Sequence, residues 1–163
     1  THARMTHLSE HACPSAQVVT FPSGAEEKAT RVDTPRVDSM LSQWPIQLSL
    51  VPPNAPFLKD ADWVIAADCV GFAYPNFHVG FLKGRKLIIG CPKLDDAQFY
   101  REKLKMMFKE LQPKSVTVIN MEVPCCSGLY RIVKEALASA GRNVPLKQEI
   151  IDIKGNRIST RQG

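Results

Sequence analysis

The chain has 163 residues, 44% hydrophobic and 23% charged, which is enough for one domain with its own core and ordinary for a globular protein. No apolar run approaches the roughly 20 residues that a membrane-spanning helix needs, and no basic start followed by an apolar stretch marks a secretory leader, so the expectation is a cytoplasmic protein with no membrane partner. The net charge of +5 and pI of about 9.0 come from scattered basic residues ("FLKGRK", "REKLK", "RIVK", "KGNR") and aromatics are only 7%, which argues against nucleic acid and fits docking of an acidic redox partner.

Residues 1–44 are rich in Pro, Ser, Thr and charge and read as an irregular arm with one short strand, "QVVTF". From residue 45 the pattern sharpens into an α/β domain, residues 45–163. "PIQLSLV" alternates like an edge strand opened by Pro45, and "VPPNAPF" is a connector. "DWVIAADC" (62–68), "RKLIIGC" (86–90), "KSVTVINMEV" (114–121) and "KQEIIDIK" (147–154) read as buried strands, and "GN" at 155–156 as a turn into a last segment.

Helices are expected between them. "LDDAQFYREKLKMMFKELQ" spaces Phe99, Leu104, Met107, Phe108 and Leu111 toward one face, with the stripe Met106, Met107 and Phe108 expected in the core, Asp95 or Asp96 as cap and Pro113 beyond its end. "SGLYRIVKEALASAG" puts Leu129, Ile132, Val133, Ala136 and Leu137 on one stripe, with Ser127 to cap it and Gly141 to stop it. Strands alternating with helices predict a three-layer α/β fold with a mostly parallel sheet, Rossmann-like or flavodoxin-like.

The five cysteines carry the functional signal. Cys69, Cys91 and the pair Cys125–Cys126 each end a predicted parallel strand. In an open α/β sheet those ends share one edge, and ligands bind in the crevice beside it. Cys91 and Cys126 are read as directly preceding helix N-termini, where free N–H groups favour thiolate, the form that binds metal. Pro92 and Pro124 stiffen the turns, and Gly90 and Gly128 let backbone approach a bulky group. Cys13, in "SEHACPS" with His11 nearby, also precedes proline and can close over the crevice. The spacing C-x55-C-x21-C-x33-CC holds no C-x2-C pair of the kind that zinc sites favour. Dispersed thiols on a rigid sheet suit an iron–sulfur cluster, and adjacent cysteines point to different sides, so Cys125 and Cys126 are not both expected to ligate it.

The stretches "AADCVGFAYPNFHVGFLKGRKLIIGCPKLDD" and "VTVINMEVPCCSGLYRIVKEAL", with "WPIQLSLVPPNAPFLKDAD" and "HACPS" before them, resemble a family of bacterial and archaeal 4Fe-4S-binding, ferredoxin-like proteins. The resemblance runs over most of the chain and implies one [4Fe–4S] cluster. Members often carry an N-terminal ferredoxin domain with C-x2-C-x2-C runs, absent from this sequence, which argues against a relay through further clusters and leaves a ferredoxin domain or subunit as a candidate partner. C-x33-CC is also similar to the first half of the cysteine-rich motif of heterodisulfide reductases, whose second half, ending in C-x2-C, is missing.

Cys13, Cys69, Cys91 and Cys125 are therefore the expected ligands of the cluster irons. Cys126, His78, Lys93 and Asp68 are further candidates: a reserve thiol, an imidazole bordering the crevice, a cation to offset cluster charge, and a carboxylate that handles protons. Tyr74 is expected to cover the site, and Glu122 to be either a buried acid or a turn residue. The role expected is electron transfer or redox support of a partner. The alternatives are an enzyme that uses an open iron as Lewis acid and a thiol-redox or mononuclear zinc or iron protein. No phosphate-binding glycine loop or hydrolase motif occurs.

Overall fold

The structure, a computed structural model, describes residues 18–20 and 37–163. The chain forms β1 (Val19–Thr20), β2 (Gln43–Trp44), β3 (Asp62–Ala67), a short helix α1 (Val70–Ala73), a single π turn (His78–Leu82), β4 (Lys86–Gly90), α2 (Ala97–Leu111), β5 (Ser115–Met121), α3 (Pro124–Ser139), β6 (Leu146–Ile151) and β7 (Arg157–Gln162). The main sheet has the order β4-β3-β5-β6-β7, with β3 to β6 parallel and β7 antiparallel to β6. In chain order this is 2-1-3-4-5, the flavodoxin-like arrangement of a doubly wound sheet, closed by an antiparallel edge strand that the "GN" turn announces.

The strand order reverses at β3, and right-handed crossovers running in opposite directions put their connections on opposite faces. Trp63 of β3 stacks on Phe108 of α2 with ring centroids 5.3 Å apart, so that face belongs to the long helices, which pack against each other. Ala66, Leu87 and Ile89 face the other way, toward Phe77, His78 and Leu82 of the π turn. β3, β4 and β5 are almost continuously buried because the elements between them cover both faces of the sheet, whereas the edge strand β7 is exposed.

Several local expectations are corrected. "PIQLSLV" is not a strand: residues 46–48 join the β4 edge through one parallel bridge, Gln47 to Ile89, and turn away, while β2 lies just before Pro45, whose peptide bond is cis. On α2 the buried stripe is Tyr100, Lys103, Leu104, Met107, Phe108 and Leu111. Phe99 and Met106 are exposed, because a 3.6-residue period through Leu104 and Leu111 selects position 100 rather than 99. Asp96 is the α2 cap, accepting from the Gln98 and Phe99 amides. Ser127 does not cap α3: its hydroxyl donates to the Pro124 carbonyl inside the first turn, and Val123 holds the cap position. Gly141 does end α3, at φ +65, with the Arg142 amide donating back to the Leu137 carbonyl.

One buried charge links the sheet to the π turn. Glu149 of β6 is fully buried, accepts from Lys147, Arg157 and Thr160, and Arg157 lies over the Phe81 ring. Burial alone would push its carboxyl up. The hydrogen bonds from Lys147, Thr160 and Arg157, with the Arg157 charge, together outweigh that and hold it below its ordinary value of 4.5. A carboxyl depressed in the folded state contributes stability above its unfolded pKa and loses it as pH falls through the folded one. Urea unfolding followed from pH ~7 to pH ~3 should show this loss, and Glu149→Gln should flatten it. An unchanged pH slope in Glu149→Gln would remove Glu149 as its source.

Candidate functional site

The four described thiols lie at one edge of the sheet. Cys69 follows β3 at the start of α1 and is exposed. Cys91 follows β4 and is half-buried. Cys125, exposed, and Cys126, 4% exposed, occupy the first turn of α3 after β5. Because β4, β3 and β5 are neighbours and parallel, their carboxyl ends and the loops that follow stand side by side. The chain leaves β3 for β4 and returns past it to β5, so Cys69 and the Cys125–Cys126 pair flank the topological switch point, where α/β sheets bind ligands. Cys13 and His11 lie outside the described residues.

The thiols differ in environment. Burial pushes the Cys126 thiol up to about 11, a backbone hydrogen bond at Met121 pulls the other way, and the nearby charges of Cys125 and Cys69 raise it further. Cys125 and Cys126 lie in the first turn of α3 itself, which Pro124 opens without an N–H and in which the Cys126 amide donates to the Val123 carbonyl. Cys91 does not adjoin a helix: the turn Pro92–Asp95 separates it from α2, and its carbonyl accepts from the Leu94 and Asp95 amides. Among the described residues no three His, Cys, Asp or Glu side chains converge tightly enough to hold a single metal ion. Mass-mapped alkylation of the metal-free protein should modify Cys69 and Cys125 first and Cys126 last, since reactivity follows exposure and thiolate fraction. Early modification of Cys126 would contradict this placement.

A polar network joins the β3 and β4 ends. The Cys91 amide donates to the Tyr100 hydroxyl at 3.1 Å, and that hydroxyl donates to Asp95. Tyr100 is fully buried, and burial together with the Asp95 bond holds its phenol well above its ordinary value. Asp68 sits beside this network. Burial, then the Asp95 charge, raises its carboxyl, and its Oδ1 is buried with no hydrogen-bond partner. Tyr100 and Asp95 were not read from the sequence as site residues. The available signal was the helix period, which places Tyr100 one turn before Leu104 and directly under the β4 end.

The remaining candidates are structural or peripheral. His78 accepts the Met40 amide on Nδ1 at 3.1 Å and packs edge-on against Phe77, tying residues 37–40 to the π turn. Lys93 is exposed. Tyr74 packs on Phe81 and against Gly80. Glu122 is a turn residue on the surface, and its carboxylate accepts the Ile153 amide at 3.2 Å. That bond ties the Cys125 loop to the β6–β7 turn, and Gly155 of the same turn lies against the Ala73 carbonyl behind Cys69.

A profile of the Rossmann-like domain matches residues 55–162, which span β3 to β7 and every described thiol. An uncharacterized protein of Archaeoglobus fulgidus is 37% identical over 115 residues, 71% of this chain and 81% of the relative. No solved structure matches at a significant level.

Proposed function

The chain belongs to the Rossmann-like domain family, and from the thiols at the ligand-binding edge of that fold we propose that it is an iron–sulfur protein holding one [4Fe–4S] cluster, acting in electron transfer or redox support of a partner. The observation that carries this reading is the placement of Cys69, Cys91 and Cys125 at three adjacent strand ends around the switch point. A single ion draws its ligands into one tight shell. A cluster has several irons and takes ligands from around a larger body, which suits thiols on neighbouring loops.

Cys69, Cys91 and Cys125 would hold the cluster, and Cys13 is the fourth ligand in this proposal. The chain advances from Gln43, whose side-chain amide donates to the Leu87 carbonyl, to Gln47, bridged to Ile89, so it runs the same way as β4. β1 is antiparallel to it, with Val19 opposite Trp44. Read backward from Val19, β1 heads toward the Cys91 edge. When bound, the cluster supplies a one-electron couple. The residues of this chain would hold it in place: the Tyr100–Asp95 pair orients the Cys91 backbone, Cys125 stands exposed in the first turn of α3, and Cys126 packs as a buried thiol. The net charge of +5 favours an acidic redox partner, which a ferredoxin domain or subunit would provide, and the compartment proposed is the cytoplasm. Among the described residues no helix is long and apolar enough to cross a membrane.

The buried, unpartnered Asp68 oxygen next to Cys69 favours a second reading, an enzyme in which three thiols hold the cluster and one iron is open to substrate. Iron and sulfide analysis of anaerobically isolated protein tests the main proposal, with about four of each expected per chain. Cys69→Ala, Cys91→Ala and Cys125→Ala should each lose the cluster, whereas Cys126→Ala should keep it. Loss of cluster in Cys13→Ala identifies the carrier, and a cluster with an exchangeable ligand in the native chain identifies the enzyme. Colourless protein with one zinc per chain after anaerobic reconstitution would overturn both in favour of a mononuclear site.

A further inference from the structure

A cleft of about 310 Å³ opens on the α1 face of the sheet, between the β3–β4 pair and the π turn. Its volume falls at the low end for small-molecule sites and equals about ten water volumes. The walls are apolar, with Ala66, Leu82, Leu87 and Ile89 prominent, and two polar residues line it, Asp68 and His78. No Lys or Arg is among the described lining residues.

The two polar groups differ in what they leave unmet. His78 has its Nδ1 taken up by the Met40 amide, which donates to it. Asp68 has a buried Oδ1 with no hydrogen-bond partner. A buried acceptor without a donor is costly, and such atoms in native proteins call for an explanation. Asp95 stands close enough for its charge to act on Asp68, and its own Oδ2 is already occupied by Tyr100. The cleft is thus walled by apolar side chains with the Asp68 carboxyl and the His78 ring at its edge, and the Asp68 Oδ1 that lacks a partner is itself closed to solvent.

We propose that this cleft is a binding site for a small, largely apolar molecule that carries an amine, its ammonium group donating to Asp68 while its apolar part lies against β3 and β4. The site stands on its own walls and on Asp68, and it does not depend on which metal the thiols hold. The adjacency of Asp68 to Cys69 places a bound molecule beside the thiol edge.

Ligand-observed NMR titrations of the full chain test this with three probes of one shape, benzylamine, benzyl alcohol and phenylacetate. Benzylamine should bind about tenfold more tightly than benzyl alcohol, because a hydrogen bond to a charged group is the stronger kind, and phenylacetate should not bind. Asp68→Asn should bring the amine and the alcohol to about equal affinity. Gly71→Leu should abolish both, since position 71 lines the cleft and a Cβ there meets only a Phe77 ring carbon at 3.9 Å. Circular dichroism melts check that each variant folds, and the native comparison of amine with alcohol stands even where a variant does not. Equal binding of amine and alcohol, no binding of any probe, or an amine preference that survives Asp68→Asn would overturn the proposal.

Discussion

Gly90→Ala is expected to destabilise the protein by about 3 kcal/mol, a large cost for one methyl group. A Cβ at position 90 would stand 2.6 Å from the Tyr100 hydroxyl and 2.9 Å from two of its ring carbons. Tyr100 cannot swing aside, because it is fully buried under the sheet and its hydroxyl is held by the Cys91 amide and Asp95. Either α2 shifts off the β4 end or the network breaks. Overpacking usually costs about 1–3 kcal/mol, and each lost hydrogen bond adds about 1 kcal/mol. Tyr100→Phe removes the closest contact and leaves the ring contacts, so a double-mutant cycle by urea unfolding should show partial rescue. Gly128→Ala is the opposing control: it lies inside α3 with no atom within 4 Å of the new Cβ and should gain about 0.5–1 kcal/mol from helix propensity. A Gly90→Ala protein as stable as the native one would mean that Tyr100 is not fixed. The same variant should change the alkylation rate of Cys91, whose amide loses its partner.

The main strands could be read in the sequence because each is apolar on both faces and bounded by turn residues, as in "DWVIAADC" and "KLIIGC". Their parallel pairing follows from the helices between them, and with it the gathering of Cys69, Cys91 and Cys125 at one edge. Three features were less legible because they rest on tertiary contacts. Residues 46–48 alternate like a strand, but β4 offers them one bridge before the chain turns under Lys103, whose ammonium donates to the Ser49 carbonyl. The face of α2 is shifted by one residue at its first turn, where "QFY" offers two aromatics and the period through Leu104 and Leu111, together with packing against Gly90, selects Tyr100. Ser127 satisfies the sequence rule for a cap, yet Pro124 already starts the helix, so its hydroxyl turns to a carbonyl in the same turn. Asp68 shows why the site itself is harder to read than the fold. Its place at the end of a buried strand is visible in "AADC", but its unpartnered oxygen appears only when the neighbouring groups are in position.

Gly155→Ala should cost about 2–4 kcal/mol and should disturb two thiol loops at once. Gly155 has φ +85, a conformation that charges a non-glycine residue about 1–2 kcal/mol. A Cβ there would also fall 2.3 Å from the Ala73 carbonyl oxygen, a backbone atom with no freedom to rotate away. The turn therefore has to lift from α1. It is internally rigid, since Asp152 accepts from the Lys154 and Asn156 amides and from the Asn156 side chain, so it moves as a unit and pulls the Ile153 amide from Glu122. Cys69 lies four residues before Ala73 and Cys125 three after Glu122, and one lever thus reaches both sides of the switch point. Gly84→Ala separates the causes: it carries the same kind of backbone strain at φ +71 with nothing within 4 Å of the new Cβ, and should lose only the strain energy. Urea unfolding measures the difference in stability, and mass-mapped alkylation should show altered rates at Cys69 and Cys125 in Gly155→Ala alone. Equal losses in the two glycine variants, with unchanged thiol rates, would show that the turn does not hold the site. A larger loss in Gly155→Ala with altered rates at both cysteines would establish the β6–β7 turn as the support that sets the spacing of the thiol loops.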